Sequence, residues 1–170
     1  MSGVFINMEN EVFRGDVLDI GFENYGIVYS VCKSFQDEIA VDYVDNIKEQ
    51  EKAFKESYDS CVMFFSLREV LFTYSKKRLL KNVSRLLKSN GDLYIWDVEK
   101  NFKESITKKV IVALPDKKVK EIEIKESNPL KDTTMSSTLT IVSECFDVLD
   151  TKCSNGIYYI KGRKKIAVRR

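Results

Sequence analysis

The 170-residue chain has the size of one domain, and its composition limits the chemistry that it can perform. Lys and Arg total 28 against 26 Asp and Glu, so the net charge of +2 is too small for a dedicated nucleic-acid binder. The sequence contains no histidine, which excludes Ser-His-Asp triads, Cys-His pairs and His-ligated metals. The four cysteines form no CxxC pair, so we expect no metal site. No apolar run approaches the ~20 residues of a membrane span, which predicts a soluble, cytoplasmic protein.

Strand-like and helix-like segments alternate through the first hundred residues. Four short apolar segments predict strands at residues 16–20, 38–42, 60–65 and 92–97. Between them, the spacing of apolar residues predicts helices at 27–35 and 76–87, and Asp45 can cap a polar helix at 46–56. Asn90 and Gly91 are typical of a helix C-terminus. Strands that alternate with helices over short links predict a parallel sheet covered on both faces.

The last seventy residues have a different pattern. Apolar runs at 110–114 and 119–124 flank Pro115-Asp116-Lys117 and predict a β-hairpin. A short helix is predicted at 138–145. The segments 146–152 and 157–168 flank Ser154-Asn155-Gly156, which is the strongest hairpin signal in the chain. We therefore expect a single α/β domain over 1–170, with a mostly parallel sheet, a C-terminal antiparallel hairpin, and a hairpin lid or insertion at 99–131.

Ligands of such sheets bind beyond the carboxyl ends of the strands, so the loop after residue 20 is the first candidate site. Its sequence GFENYG places Gly21 and Gly26 at the first and third glycine positions of a GxGxxG loop, with Glu23 at the middle one. A carboxylate there, with Asp19 nearby, would repel phosphates, and a like-charge pair costs several kcal/mol at ~4 Å. NAD, FAD and ATP are therefore disfavoured, and a cationic or zwitterionic ligand is favoured.

Residues 14–98 resemble the class I S-adenosylmethionine-dependent methyltransferases, with a weaker similarity at 138–165. VLDIG resembles the first motif of that family, where a glycine-rich loop wraps the cofactor, and AVDYVD resembles its second strand. YDSCVMFFSLREVL is similar to the segment at the fourth strand, and LLKSNGDLYIWD is similar to the segment that leads into the fifth. The resemblance implies a Rossmann-like fold with sheet order 2-1-4-5-7-6, its third strand missing and its seventh antiparallel.

The resemblance also implies roles for individual residues. Asp19 would hold the cofactor's amino group, Asp42 its ribose hydroxyls, and Tyr43 would lie against adenine. Arg68 would bind an anionic substrate. The implied cofactor-binding set is Asp19, Gly21, Phe22, Glu23, Gly26, Asp42, Tyr43, Phe65 and Ser66. No catalytic residue is assigned, because methyl transfer from a sulfonium needs orientation and desolvation more than proton shuttling.

The function implied by the resemblance is S-adenosylmethionine-dependent methylation of a small molecule, with no membrane or nucleic-acid partner and with a homodimer left open. The alternative is a catalytically inactive binding or assembly protein with the same fold. Two features support that alternative: the loop lacks two of the family's glycines, and the link between residues 42 and 58 has no room for the third strand. Methylation of RNA or protein is a weaker third hypothesis.

Overall fold

The computed structural model describes residues 3–23, 25–35, 40–44 and 55–166. The predicted cap Asp45, and the predicted helix at 46–56 except for its last two positions, lie outside the described residues, as does part of the predicted strand at 38–42. Within these ranges the chain forms the following elements in order: β1 (Gly3–Asn7), β2 (Val17–Ile20), α1 (Ile27–Lys33), β3 (Val41–Val44), β4 (Tyr58–Phe64), α2 (Thr73–Leu86), β5 (Leu87–Val98), β6 (Ile106–Ala113), β7 (Val119–Glu126), α3 (Met135–Val142), β8 (Phe146–Ser154) and β9 (Ile157–Lys164).

The main sheet has six strands in the order β3-β2-β4-β5-β9-β8. This is the expected order 2-1-4-5-7-6, and no third strand occurs in the part of the chain that the structure describes. The pairs β3–β2, β2–β4 and β4–β5 are parallel, whereas β9 is antiparallel to both β5 and β8. The sheet is therefore mixed rather than mostly parallel. Asn155 and Gly156 both adopt positive φ angles, 53° and 77°, which suit the tight turn that reverses the chain between β8 and β9.

One face of the main sheet is covered by α2 and α3. The apolar stripe of α2 is formed by Leu79, Leu80, Val83 and Leu86, all of which are buried, as the helical spacing predicted. This stripe packs on alternate residues of the central strands, including Cys61 and Met63. In the described residues, no helix has both the length and the hydropathy that crossing a bilayer requires.

The other face is covered by α1 and by a second sheet of order β1-β6-β7. Alternate residues of the β6–β7 hairpin point into this layer, and Val110, Val112, Ile122 and Ile124 are all buried there. The strand β1, which pairs in parallel with β6, was not predicted. The hairpin thus packs as a layer of the core, and its action as a lid stays a prediction.

The prediction that Asn90 and Gly91 end a helix is wrong. The helix α2 ends at Leu86, and β5 begins at the next residue with no loop between them. Asn90 has a φ of 63° inside β5, where the register with β4 shifts between Tyr58 and Ser60. A Cβ at Gly91 would lie 2.9 Å from the Leu87 Cβ. These residues therefore form a β-bulge. Asn90 supplies the left-handed backbone conformation of the bulge, and Gly91 avoids a clash with Leu87 because it has no side chain.

Candidate functional site

The candidate site lies where the parallel strands β2, β4 and β5 end. Asp19 on β2 pairs in register with Tyr43 of β3 and with Val62 of β4. Phe65 follows β4 directly, and its backbone N–H donates to the Trp96 carbonyl oxygen of β5 at 2.8 Å. Because parallel strands share an edge, the loop after β2 and the residues after β4 lie side by side, as the sequence predicted.

The loop between β2 and α1 is closely packed at its first glycine. A Cβ at Gly21 would lie 3.2 Å from the ring of Tyr43 and 3.3 Å from the Glu23 carbonyl oxygen, so only glycine fits without displacing a neighbour. Gly26 adopts a left-handed conformation with a φ of 72° and serves as the N-cap of α1. Tyr43, which the resemblance assigned to the adenine, therefore lies over the loop itself.

Tyr25 points inward from this loop. Its half-buried ring packs edge to face on Phe64 of β4, with ring centroids 6.3 Å apart. Its hydroxyl interacts with the side chains of Glu23 and Arg68, and burial together with the Glu23 carboxylate raises the pKa of Tyr25 to about 12. These contacts hold the aromatic ring between the loop and the sheet.

Little space is left within the loop. The cavity bounded by Asp19, Gly21, Glu23, Tyr25 and Phe64, with the first turn of α1, has a volume of about 10 Å³. That volume holds about one water molecule, whereas small-molecule sites usually enclose about 300–1,000 Å³. The sequence pattern placed the candidate site at this loop but did not predict which side chains would fill it.

Asp19 is the most perturbed acid of the loop. The side chain is 9% exposed, and burial raises its pKa from 3.8 to about 7. The same carboxylate contributes to the raised pKa values of the Cys32 and Cys61 thiols, although burial is the larger cause for both. A carboxylate whose pKa is raised in this way lacks a compensating positive charge.

Three other predicted cofactor residues are exposed. Asp42 is exposed at the sheet edge, where its Oδ2 accepts a hydrogen bond of 2.6 Å from the Tyr58 hydroxyl. Phe22 and Glu23 are also exposed on the loop. The structure therefore brings Asp19, Glu23 and the two glycines around one small cavity. Asp42 does not line this cavity, because it is in register with Leu18 and not with Asp19.

The residues after β4 are buried. Phe65 has a φ of 55°, which is rare for an aromatic residue, and backbone strain of this kind clusters at functional sites. The hydroxyl of Ser66 and the Nε of Arg68 are buried without a hydrogen-bond partner among the described residues. The guanidinium of Arg68 lies 2.9 Å from Glu69 and 3.6 Å from Glu126. The guanidinium of Arg68 therefore already has two carboxylate neighbours. Its role in binding an anionic substrate stays a prediction.

Asp97 was not among the predicted site residues. It is fully buried in β5, and its carboxylate accepts backbone N–H bonds from Arg68 at 2.9 Å and from Val98 at 2.8 Å. Burial raises its pKa to about 6 despite these bonds. An aspartate that ends the apolar segment DLYIW was the available signal, because a charged residue in a buried strand needs a structural or functional reason.

Solved structures with the same fold are S-adenosylmethionine-dependent methyltransferases. One from Clostridium acetobutylicum matches with a TM-score of 0.57 at 13% identity, over 88% of this chain and 83% of that one. The N-methyltransferase NodS from Bradyrhizobium japonicum, in complex with S-adenosylhomocysteine, matches with 0.54 at 11% identity, over 88% and 78%. The 1,6-didemethyltoxoflavin-N1-methyltransferase of Burkholderia thailandensis matches with 0.55 at 13% identity, over 91% and 72%.

The chain therefore has the class I S-adenosylmethionine-dependent methyltransferase fold. No protein-family model matches the sequence, and no curated protein matches it.

The cofactor of that fold is only partly suited to the residues present. Two acids, Asp19 and Glu23, suit its ammonium and sulfonium charges. The space does not suit it, because a cavity of about 10 Å³ holds a water molecule and not a nucleoside. Tyr25 is one of the side chains that line this small cavity.

Proposed function

We propose that this protein is an S-adenosylmethionine-dependent methyltransferase acting on a small molecule, with a cofactor site that Tyr25 closes in the free protein. Support for the fold class comes from the solved methyltransferases that it resembles. The proposed cofactor-binding residues are those of the sequence prediction: Asp19, Gly21, Phe22, Glu23, Gly26, Asp42, Tyr43, Phe65 and Ser66. Arg68 is the proposed contact for the acceptor.

The observation that carries this proposal is the state of Asp19. A buried carboxylate with a pKa of about 7 has lost the solvation of its charged form and has gained no cation in exchange. An ammonium or sulfonium group that entered the adjacent cavity would supply that cation. Phosphates are negatively charged like the carboxylate, so Asp19 disfavours NAD and ATP.

The inward position of Tyr25 explains why the cavity is too small for the cofactor in the free protein. Tyr25 is held by non-covalent contacts only: its ring packs on Phe64, and its hydroxyl interacts with Glu23 and Arg68. A ligand that displaces the ring loses the burial energy of half an aromatic side chain, about 1.4 kcal/mol. The apparent affinity then equals the affinity of the open state multiplied by the fraction of molecules that are open.

A second candidate function has its own support. A catalytically inactive protein with this fold would retain the core while its cofactor site closes, and the filled cavity fits that description. Such a protein would act as a binding or assembly module. The two candidates differ in whether the cofactor binds when Tyr25 is removed.

Calorimetry with S-adenosylmethionine, S-adenosylhomocysteine, NAD and ATP tests the proposal on the wild type and on three variants. Tyr25→Ala should bind the sulfur ligands about tenfold more tightly than the wild type, because no ring has to be displaced. Tyr25→Phe, which keeps the ring and loses the polar contacts, should lie between them. Tyr29→Ala is the matched control, since Tyr29 is exposed on the neighbouring helix α1.

The outcomes separate the two candidates. Binding of both sulfur ligands by Tyr25→Ala, with no binding of NAD or ATP, supports the methyltransferase proposal. Absence of binding by every variant rejects it and favours the inactive module. Weaker binding by Tyr25→Ala than by the wild type would mean that Tyr25 contacts the cofactor instead of closing the site.

A further inference from the structure

A much larger cavity lies on the same face of the main sheet, beside the second sheet. This β1–β9 groove has a volume of about 410 Å³ and runs between residues 4–7 of β1 and the exposed face of β9 and β8. Phe64 bounds the small cavity at the β2–α1 loop, and Trp96 lines the groove. The two rings are in contact, with centroids 5.9 Å apart, so an aromatic pair separates the two spaces.

The floor of the groove is aromatic. Trp96 of β5 is directly opposite Tyr159 of β9, and their ring centroids are 4.7 Å apart. Ile157, the next residue on this face of β9, extends the apolar floor, and Phe5 of β1 is 62% exposed beside it. The volume is in the range of small-molecule sites, and the lining contains as many polar or charged residues as apolar or aromatic ones.

Positive charge lies at one end of this floor. The ammonium of Lys161 is 5.3 Å from the ring centroid of Tyr94, and no carboxylate lies within 4.0 Å of it in the part of the chain that the structure describes. Lys152 lies over Tyr159 at 5.9 Å and has Asp150 as an acidic partner at 4.0 Å. Lys161 is therefore the cation of the groove without an ion-pair partner among these residues.

Two acids also line the groove, Glu11 and Asp150. Asp150 is directly opposite Lys161 in the β8–β9 register and lies 4.0 Å from the ammonium of Lys152. Glu11 interacts electrostatically with Lys161 and Lys152, but its carboxylate is not within 4.0 Å of either ammonium. Burial raises the pKa of Glu11 against the pull of the two lysines, so its charged form is disfavoured.

We propose that the β1–β9 groove binds a planar aromatic acid, whose ring lies on Tyr159 next to Trp96 and whose anionic group pairs with Lys161. Trp96 is 7% exposed and its ring plane is tilted by 42° from that of Tyr159, so the flat ring stacks on Tyr159 alone. The ammonium of Lys161 selects the negative charge. A cation of the same shape would meet Lys161, whereas the Asp150 carboxylate already has the Lys152 ammonium at 4.0 Å. This site is separate from the proposed cofactor site, and its occupancy does not depend on methyl transfer.

The chain carries its own reporter for this site, because Trp96 is its single tryptophan and gives one indole N–H peak in a ¹H–¹⁵N spectrum. The probe is 2-naphthoate, and the control ligand is 2-naphthylmethylamine, which has the same rings and the opposite charge. We expect a saturable shift of the Trp96 peak with naphthoate and at least about tenfold weaker binding of the amine.

Two variants test the role assigned to the ammonium. Lys161→Met, which keeps the length of the side chain, should weaken naphthoate binding about tenfold, while Lys118→Met, at the β6–β7 turn and outside the groove, should not change it. The dispersion of the amide spectrum shows whether each variant is folded. An unmoved Trp96 peak at millimolar naphthoate overturns the proposal, as does equal binding of the amine or unchanged affinity of Lys161→Met.

Discussion

At the scale of single residues, the carboxylate of Asp19 links stability to function. A folded-state pKa of about 7 against 3.8 means that the native protein holds this proton more tightly than the unfolded chain does. The tighter proton binding therefore stabilises the folded state. This contribution to the free energy of unfolding is fully present below pH 3.8 and is lost as the pH rises through 7. Near neutral pH the site therefore carries a strain that a bound cation would relieve.

Asp19→Asn should make the protein more stable at pH 8, because the amide cannot ionise. About three pKa units at 1.4 kcal/mol each set an upper limit of about 4 kcal/mol, and the difference should shrink toward zero near pH 4. Urea unfolding at several pH values measures it, with the exposed Asp147→Asn as control. A loss of stability in Asp19→Asn at every pH would show that the carboxylate has a structural partner.

The residues of the β2–α1 loop show how far sequence patterns reach. Asp19, Gly21 and Gly26 were predicted as site residues because a strand end followed by spaced glycines places backbone and acid at one edge. The inward direction of Tyr25 was not predicted, since it depends on contacts with Phe64 and Arg68, which lie about forty residues away in sequence. Side-chain packing between distant segments leaves no periodic signal.

At the scale of elements, the β6–β7 hairpin has two possible roles that differ in energy. A lid would rest on the protein with little burial, whereas this hairpin contributes Val110, Val112, Ile122 and Ile124 to a core cluster that includes Trp96. Its alternating pattern has one buried and one exposed face, as expected of a sheet that packs on another layer.

Ile124→Ala should therefore lower the free energy of unfolding by about 2–5 kcal/mol, the usual cost of removing a buried branched side chain. Urea unfolding followed by the fluorescence of Trp96 measures this loss for the whole core. Glu123→Ala, at the exposed neighbouring position, should change stability by less than about 0.5 kcal/mol. An Ile124→Ala transition that matches the wild type would show instead that the hairpin separates from the core as a lid.

Most elements could be predicted, and the exceptions have physical reasons. The strands of the main sheet and the helix α2 follow from apolar periodicity, which is a local property of the chain. The strand β1 was missed because its partner β6 lies a hundred residues later, and such long-range pairing leaves no local signal. Asn90 and Gly91 were misassigned because a helix end and a β-bulge both use a left-handed residue.

At the scale of the whole molecule, the two cavities share one face of a methyltransferase-type sheet. One is closed by Tyr25 beside Asp19, and the other is an open aromatic groove over β9 and β8. The helices α2 and α3 cover the opposite face. The fold class was predicted from motif order, whereas the closure and the groove follow from packing.

The most direct test of this account is a crystal structure of the protein grown with millimolar S-adenosylhomocysteine. The account predicts ligand density between the end of β2 and the start of α1, with the ring of Tyr25 displaced from Phe64 and the ligand's amino group beside Asp19. Tyr25 in its present contact with Phe64, and no density at the loop, would contradict the methyltransferase proposal and leave the inactive module as the better description.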